Sequence, residues 1–438
     1  MSGRHVAVVG AGLSGTLQAI HLVQAGVGKV TLIERSRVPG RGVAYGTDRP
    51  EHLLNVPARR MTAYPDRPDH FTEWWSARGG NEEGYAPRMV YGDYIRAQLA
   101  EAMHGIEIVS GEAVDIRATG EGEEVVFADG RTIAADAVVL APGNLEPAVP
   151  GRFDVEALGA AWIGDPWATD LGEGLGADDT ILILGTGLTA VDTALTLEAR
   201  GFTGRILALS RRGLAPRAHE PREPMVAPQE ALPTTCTGLT RRLRRRSAEV
   251  GWRSAVHELR SVTQGLWRDA SPAERGRFLR HLRPWWDVHR HRIAPAVGAT
   301  IRRLEEEGRL SFASGKILSI EPAEGGARLT WRPRGSDTVE TVEAAQIVNC
   351  TGPEMNIVRA GEPLFDALIA AGRIRPDPLR IGLDVDWECR VLGADGDPSA
   401  TLSAIGPVTR GTFWESVAVP DIRVQADRVT KRLVSQAN

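Results

Sequence analysis

The chain has 438 residues, of which 42% are hydrophobic and 25% charged, values near the average for globular proteins and enough for about two domains. Its formal net charge of −4 argues against attraction to nucleic acid or to an anionic membrane through bulk charge. No apolar run approaches the roughly 20 residues that span a bilayer, and the N-terminus lacks the apolar stretch of a secretory signal. We therefore expect a cytoplasmic protein that binds neither nucleic acid nor a membrane.

A predicted strand, turn and helix open the chain. The apolar run at residues 5–9 is short enough for a buried parallel strand, and Gly10, Gly12 and Gly15 then form the motif G-x-G-x-x-G. In this motif the first glycine permits a tight turn, the second lets the backbone approach a pyrophosphate, and the third lets the helix pack on the strand. The next predicted strand ends in Glu34, whose carboxylate can accept hydrogen bonds from ribose hydroxyls. The pattern predicts a dinucleotide site that favours FAD or NAD over NADP.

The stretch that follows, EHLLNVPARRMTAYPDRPDHF at residues 51–71, is too rich in proline and charge for a helix. Its prolines favour a fixed, extended path, so we interpret it as a segment that passes beside a flat cofactor. An amphipathic helix is predicted over PRMVYGDYIRAQLAEA, and short strands follow. The last of these ends in APGN, where Pro142 and Gly143 indicate a crossing between domains and a close approach of backbone to a ligand.

A second nucleotide motif lies in DDTILILGTGLTAVDTAL, near the middle of the chain. After the predicted strand 180–184, Gly185 and Gly187 take the first two glycine positions, and Ala190 replaces the third with the next smallest residue. The motif therefore predicts a second strand, phosphate-binding turn and helix.

The strand at 205–209 ends in Ser210, Arg211 and Arg212 instead of an acid. Two guanidinium groups beside a ribose suit a 2′-phosphate, because each can donate charge-assisted hydrogen bonds to it. We therefore predict that this second site prefers NADPH, the alternative being that both arginines are simply solvated surface charges.

These motifs predict an α/β protein with two Rossmann-like dinucleotide-binding domains, one for FAD and one for NADPH. The expected FAD-binding domain spans residues 1–164 and 346–438, and the NAD(P)H-binding domain spans 165–345 with a helical insertion at about 214–310. Within the insertion, RHLRPWWDVHRHR at 280–292 predicts either a packing helix with a basic face or a pocket or lid for an anionic or aromatic substrate. It offers too few acids for a metal site, and we expect no metal. The three cysteines are far apart, which argues against a disulfide or a redox dithiol.

The chain resembles the FAD/NAD(P)-binding flavoproteins with two dinucleotide-binding domains, and within them a bacterial group related to the class B flavoprotein monooxygenases. That class includes flavin-containing and N-hydroxylating monooxygenases. The resemblance rests on stretches such as RGVAYGTDRPEHLLNVPARRMTAYPD, LSRRGLAPRAH and VNCTGPE. Flavin-containing monooxygenases carry an Asn, a Met and a Pro-Asp-x-Pro before the flavin ring, matched here by Asn55, Met61 and residues 65–68. Their F-x-G-x-x-x-H signature does not precede the second nucleotide motif of this sequence.

The resemblance implies an NADPH-dependent oxidoreductase that hydroxylates a small amine- or sulfur-containing substrate through a flavin C4a-hydroperoxide, with Asn55 as the catalytic donor. Two alternatives remain at this point: a flavin dehydrogenase or reductase that inserts no oxygen, and a flavin-bound redox sensor. The residues expected to bind the cofactors FAD and NADPH are Gly10, Gly12, Leu13, Ser14, Gly15, Glu34, Arg35, Gly42, Asn55, Val56, Val114, Pro142, Gly143, Gly185, Gly187, Leu188, Thr189, Ser210, Arg211, Arg212, Thr351, Gly352 and Gly406.

Overall fold

The computed structural model describes residues 2–35, 38–148, 153–167, 171–220, 227–228 and 230–436. Its N-terminal part contains a first set of strands and helices. In chain order these are β1 (Ser2–Val9), α1 (Leu13–Gln24), β2 (Val27–Glu34), α2 (Gly42–Tyr45), α3 (His70–Ser76), α4 (Arg88–Ala102), β3 (Ile106–Ser110), β4 (Ala113–Thr119), β5 (Gly122–Phe127), β6 (Thr132–Ala135) and β7 (Ala137–Leu140).

The middle part contains α5 (Val155–Leu158), β8 (Trp162–Ile163), β9 (Thr180–Leu184), α6 (Leu188–Ala199), β10 (Arg205–Ser210), α7 (Cys236–Val250), α8 (Trp252–Glu258), α9 (Thr263–Asp269), α10 (Pro272–Arg277), α11 (Arg283–Arg290), α12 (Pro295–Glu306), β11 (Leu310–Ala323), β12 (Gly326–Pro333), β13 (Glu340–Ala344) and β14 (Gln346–Asn349). The C-terminal part contains α13 (Pro363–Ala370), β15 (Arg390–Leu392), β16 (Pro398–Ala404) and α14 (Val419–Ser435).

The first sheet has the strand order β15-β16-β7-β1-β2-β3 and is parallel except for β15. Its central register places Val9 beside Leu140, and Leu140 beside Ala404. The C-terminal segment of the chain therefore completes the sheet that the N-terminus begins. A smaller antiparallel sheet, β4-β5-β6, packs against α13. This confirms the predicted α/β fold with parallel sheets of the Rossmann type.

The second sheet has the order β13-β12-β11-β10-β9-β14-β8. Its strand β9 shows why the sequence TILIL is apolar throughout: Ile181 and Ile183 belong to one buried cluster, whereas Leu182 and Leu184 belong to the cluster on the opposite face. Successive side chains point to opposite faces of a strand, so a sheet that is covered on both faces needs an unbroken apolar run.

Sheet membership differs from the expected domain boundaries at two places. Strand β14 pairs with β9, with Val348 beside Ile183, and β8 pairs with β14, so both strands belong to the second sheet. The predicted boundaries at 164/165 and 345/346 assign them to the first domain. Strand β14 reads QIVN and β7 reads AVVL, and nothing in such short apolar runs specifies which sheet a strand joins.

The helical region between β10 and β11 has two parts. Helix α12 contributes Val297, Ile301 and Leu304 to the buried cluster that contains Ile181 and Ile183, which we call the second core; the first core is the cluster around the first sheet. This helix therefore serves as the crossover helix of the second domain and is not part of an insertion. Of the preceding helices α7–α11, α9 and α11 contact the C-terminal segment of the first domain, α9 through Trp267 and α11 through Arg290. Trp267 stacks on Trp414 with ring centroids 4.7 Å apart.

Among the described residues, no helix is long and apolar enough to cross a bilayer.

The cluster at 280–292 forms a π-helical turn at Phe278–Leu282 and helix α11. Trp286 packs edge to face against Phe278, while Trp285 is exposed. Arg290 donates to Glu415 at 2.8 Å, and Arg260 donates to the same carboxylate oxygen at 3.1 Å. The cluster thus packs a helix onto the first domain through aromatic rings and a nearly buried carboxylate.

Candidate cofactor site

The first glycine turn joins β1 to α1. Gly10 has φ = 100°, a left-handed conformation that favours glycine, and a Cβ atom there would overlap the carbonyl oxygen of Ala141. A Cβ atom on Gly15 would overlap the carbonyl oxygen of Gly10. Both substitutions are barred by backbone atoms, which cannot rotate away as a side chain can. The sequence-based roles of Gly10 and Gly15 therefore agree with the geometry.

The N-terminus of α1 is free to receive an anion. Gly12 occupies the N-cap position without a side-chain cap, and the 12-residue helix points its first N–H groups, from Leu13 and Ser14, toward the turn. Gly42 lies opposite, with its Cα atom 3.6 Å from where a Cβ on Gly12 would be, and Gly406 lies against Ser14. Glycines on several sides thus form a cradle that side chains would fill.

Glu34 and Arg35 follow the second strand but make different contacts. The backbone N–H of Ala11 donates to Glu34 Oε2 at 3.1 Å, which holds this carboxylate beside the glycine turn, where a ribose would lie. Arg35 instead pairs with Glu362 at 2.8 Å and lies 3.6 Å from Glu112. Val114 follows Glu112 by two residues and lies in β4.

The second glycine turn repeats the first. Gly185 has φ = 116°, and a Cβ atom there would overlap the carbonyl oxygen of Cys350, the residue that follows β14. Gly187 occupies the N-cap of α6 without a side-chain cap, and the space around it is open. Leu188 and Thr189 form the first turn of this helix, and Ala190 is buried where the third glycine would be.

Hydroxyl groups shape the loop after β10. Thr186 Oγ1 lies 2.9 Å from Ser210 Oγ and donates to the carbonyl oxygen of Leu214 at 2.6 Å. Ser210 Oγ also accepts from the backbone N–H of Gly213. Arg211 is exposed and Arg212 is partly buried, and within the described residues neither side chain has an ion-pair or hydrogen-bond partner.

Two crossings connect the domains, and each starts beside a glycine turn. In the first, Pro142 lies next to Gly10, and Gly143 has open space where a Cβ would be. In the second, Thr351 donates to Asn349 Oδ1 at 2.7 Å, and Gly352 is likewise open. The crossings bond to each other, since the N–H of Glu354 donates to the carbonyl oxygen of Glu146 at 3.1 Å.

Asn55 lies between the two domains. Leu53 packs against the second core and Val56 against the first, so the chain passes from one to the other at this residue. The carbonyl oxygen of Asn55 is 2.9 Å from His219 Nε2. Its amide oxygen Oδ1 is 3.5 Å from Arg88 Nη2.

Arg88 begins α4 and ties this segment to α6. Its guanidinium donates to both carboxylate oxygens of Asp192, at 2.7 and 3.0 Å, and to the carbonyl oxygen of Leu53 at 3.1 Å. His52 Nε2 lies 3.0 Å from Thr196 Oγ1 on the same helix. Sequence reasoning missed this ion pair, since a single arginine after a proline carries no pattern that names a partner 104 residues away.

The rest of the 51–71 stretch divides into two parts. Met61, Thr62 and Tyr64 are buried in the first core, whereas residues 65–69, which include the Pro-Asp-x-Pro match, are exposed. The part that lies near the second domain is thus 52–60, which is shorter than the segment that the sequence indicated. Across the described residues, no group of three or more potential ligands could hold a metal ion.

Residues 7–145 match a family model described as FAD-NAD(P)-binding. The chain contains an FAD-NAD(P)-binding domain. The matched range includes the first glycine turn, Glu34 and the first crossing, and it supports FAD and NADPH as cofactors of an oxidoreductase. A search of curated proteins finds no match.

The chain, with its FAD-NAD(P)-binding domain and its second domain, shares its fold with solved flavoproteins at low sequence identity. Ornithine hydroxylase from Pseudomonas aeruginosa is similar at 15% identity and a TM-score of 0.69, covering 99% of this chain and 100% of its own. L-lysine 6-monooxygenase from Pseudomonas syringae is similar at 17% identity and a TM-score of 0.69, covering 99% of both chains. T. acidophilum thioredoxin reductase is similar at 12% identity and a TM-score of 0.58, again with 99% of both chains covered. At these identities the likeness establishes the fold and leaves the reaction open.

Proposed function

We propose that the protein is an NADPH-dependent flavin monooxygenase that hydroxylates a small amine- or sulfur-containing substrate. The observation that supports the proposal is the position of Asn55 between Leu53, which packs against the second core, and Val56, which packs against the first. A monooxygenase requires such a position because both cofactors and the substrate must meet in one enclosed crevice.

FAD would be held by the first glycine turn, the N-terminus of α1 and Glu34. The glycine cradle around Gly12 and Gly42 would let a pyrophosphate approach the backbone. The second turn and α6 would hold NADPH, whose 2′-phosphate would be bound by Arg211 and Arg212. When bound, FAD supplies reversible two-electron chemistry and reacts with oxygen, and NADPH supplies the reducing equivalents.

Asn55 would donate a hydrogen bond from its amide nitrogen into the crevice. Its amide oxygen lies 3.5 Å from Arg88 Nη2, so the amide nitrogen is the group that would remain to donate. Asp192 and the carbonyl oxygen of Leu53 hold Arg88 in place. Such a preorganised donor needs no reorganisation during the reaction, which is the main way in which fixed dipoles accelerate it.

The cysteines oppose the disulfide-reductase chemistry of the thioredoxin reductases that share this fold. Cys236, Cys350 and Cys389 are all free and buried. Burial raises the pKa of Cys350 and of Cys389 to about 12, so neither forms a thiolate at neutral pH. A reductase of that kind needs a reactive pair of thiols.

The cofactor assignment is tested by replacing Arg211 with alanine and measuring KM for NADPH and for NADH. A hydrogen bond to a charged group contributes about 1.5–3 kcal/mol, so KM for NADPH should rise by about 10- to 100-fold while KM for NADH stays unchanged. Arg302→Ala removes an exposed arginine from α12 and serves as the matched control. Parallel changes for both nucleotides would remove Arg211 from 2′-phosphate recognition.

The oxygen reaction is tested by mixing NADPH-reduced protein rapidly with oxygen. We expect the flavin to return to its oxidised spectrum in two phases, the first giving a spectrum unlike that of oxidised or reduced FAD, and H₂O₂ to appear only in the second. Asn55→Asp should shorten the interval between the phases, whereas Asn81→Asp, in an exposed loop, should not. A single phase with simultaneous H₂O₂ would instead indicate a flavin reductase. Ornithine, lysine and simple thioethers are the first substrates to try, with one hydroxylated product expected per NADPH.

A further inference from the structure

A small cavity lies where the two crossings meet the C-terminal segment. Its lining includes Gly143 of the first crossing, Glu354 and Met355 of the second, and Ile381, Val408 and Arg410. It adjoins the first glycine turn, because Pro142 precedes Gly143 beside Gly10, and because Gly406, against Ser14, lies four residues before Arg410.

The guanidinium of Arg410 faces this largely apolar cavity without an anionic partner. Its hydrogen-bond partner in the described part of the chain is the thioether sulfur of Met355, at 2.9 Å. No carboxylate of the described residues lies within ion-pair distance of it. By contrast, Arg88 and Arg290, which are likewise partly buried, each bind a carboxylate. Desolvation, helped by the neighbouring Arg283, lowers the pKa of Arg410 to about 10, so the group remains charged at neutral pH.

The two nearest acids are already engaged elsewhere. Asp287 lies 3.3 Å from Arg283, and Glu354 lies 3.0 Å from Arg359 and accepts from the N–H of Asn356 at 2.8 Å. A thioether is a weak acceptor, so neither these acids nor Met355 satisfies the five N–H donors of the guanidinium. Arg410 is partly exposed, so water meets its remaining donors, and an entering carboxylate would replace that water with charge-assisted hydrogen bonds.

We propose that Arg410 binds a carboxylate group of the substrate in the crevice beside the flavin. A planar guanidinium matches a carboxylate with two parallel hydrogen bonds, which a lysine cannot make. The cavity has about 20 Å³ of free space, enough for roughly one water-sized group. Met355 must therefore move aside, which its flexible, unbranched side chain permits. This inference rests on the proposed function, since it names the chemical class of its substrate: an amine or thioether that also bears a carboxylate.

The test is a binding titration of FAD-loaded protein with sodium acetate, followed by the visible absorbance of the flavin, at an ionic strength kept constant with sodium chloride. We expect a saturable response in the wild type and at least tenfold weaker binding in Arg410→Met. Met355→Leu, which keeps the guanidinium and removes the sulfur, should retain the response. If Arg410→Met does not fold, Arg410→Lys carries the comparison, because it keeps the charge and loses the fork.

Three results would overturn the inference: no saturable response of the wild type to acetate, equal acetate affinities in the wild type and the Arg410 variant, or an Arg410 variant that loses FAD or binds NADPH more weakly while its acetate response persists. The last would assign Arg410 to a phosphate of a cofactor, and a parallel titration with inorganic phosphate would then give the stronger response in the wild type. The titration involves no turnover, so the rapid-mixing experiment can fail while this one succeeds, and the reverse.

Discussion

The ion pair of Arg88 with Asp192 makes the sharpest prediction, because it joins α4 of the first domain to α6 of the second. Its side chains are only 12% and 7% exposed, and both carboxylate oxygens are bonded. Replacing Asp192 with leucine leaves a buried guanidinium without its anion. Replacing Arg88 with methionine leaves a buried carboxylate without its cation.

Breaking a buried pair in this way costs about 3–5 kcal/mol, whereas replacing both partners with apolar residues of similar size is often neutral. We therefore expect Asp192→Leu alone to lower the free energy of unfolding by about 3–5 kcal/mol. Arg88→Met should cost slightly more, because Arg88 also donates to Leu53. The double variant should recover most of the loss, so the coupling energy should exceed about 3 kcal/mol, the least that one single substitution is expected to cost.

The assay is urea unfolding of FAD-loaded protein, followed by tryptophan emission and by FAD release; a two-state free energy applies where the two probes coincide. Arg328→Met is the control, because its pair with Glu343 is 52% and 63% exposed and should contribute about 1 kcal/mol or less. If the effects of the two buried substitutions add to within about 0.5 kcal/mol, the pair is not coupled and the reasoning fails.

Two further predictions concern the first domain. Gly15→Ala places a methyl group on the carbonyl oxygen of Gly10, so the purified protein should contain little FAD, whereas Gly120→Ala, in open space, should keep it; a flavin-loaded Gly15→Ala would contradict the close packing of the turn. Burial lowers the pKa of His52 below 6.5, so the folded state resists its protonation and loses stability as the pH falls through and below 6.5. The advantage of the wild type over His52→Gln in free energy of unfolding should therefore shrink between pH 7 and pH 5, and a constant advantage would exclude His52 from this pH dependence.

Local pattern was sufficient for the parts of the fold that local geometry controls. The apolar strand, the left-handed Gly10 and the uncapped helix that follows are specified within about fifteen residues, so the first motif is readable from sequence. The same holds for Gly185 and Gly187 in the second motif.

The parts that sequence could not supply depend on distant partners. Strand β14 joins the second sheet because it pairs with β9, and no residue of QIVN records that pairing. Arg88 pairs with Asp192, whereas Arg410 pairs with no carboxylate of the described residues. Both outcomes depend on how segments that are far apart in the chain meet. For the same reason the sequence could not separate the part of 51–71 near the second domain from the buried and exposed parts that follow it, since proline content restricts the backbone without saying which side it faces.

The paired crossings have a consequence for motion. Each is pinned at its start by the carbonyl oxygen that covers Gly10 or Gly185, and the two are bonded to each other through Glu354 and Glu146. Two bonded segments side by side would favour bending of the domains about one axis over rotation about the long axis. Opening and closing of the crevice would then follow a single path, along which a nicotinamide and a flavin approach each other repeatedly in the same orientation. Arg410 lines the cavity where the two crossings meet, so a carboxylate bound there would be sensitive to the bend between the domains.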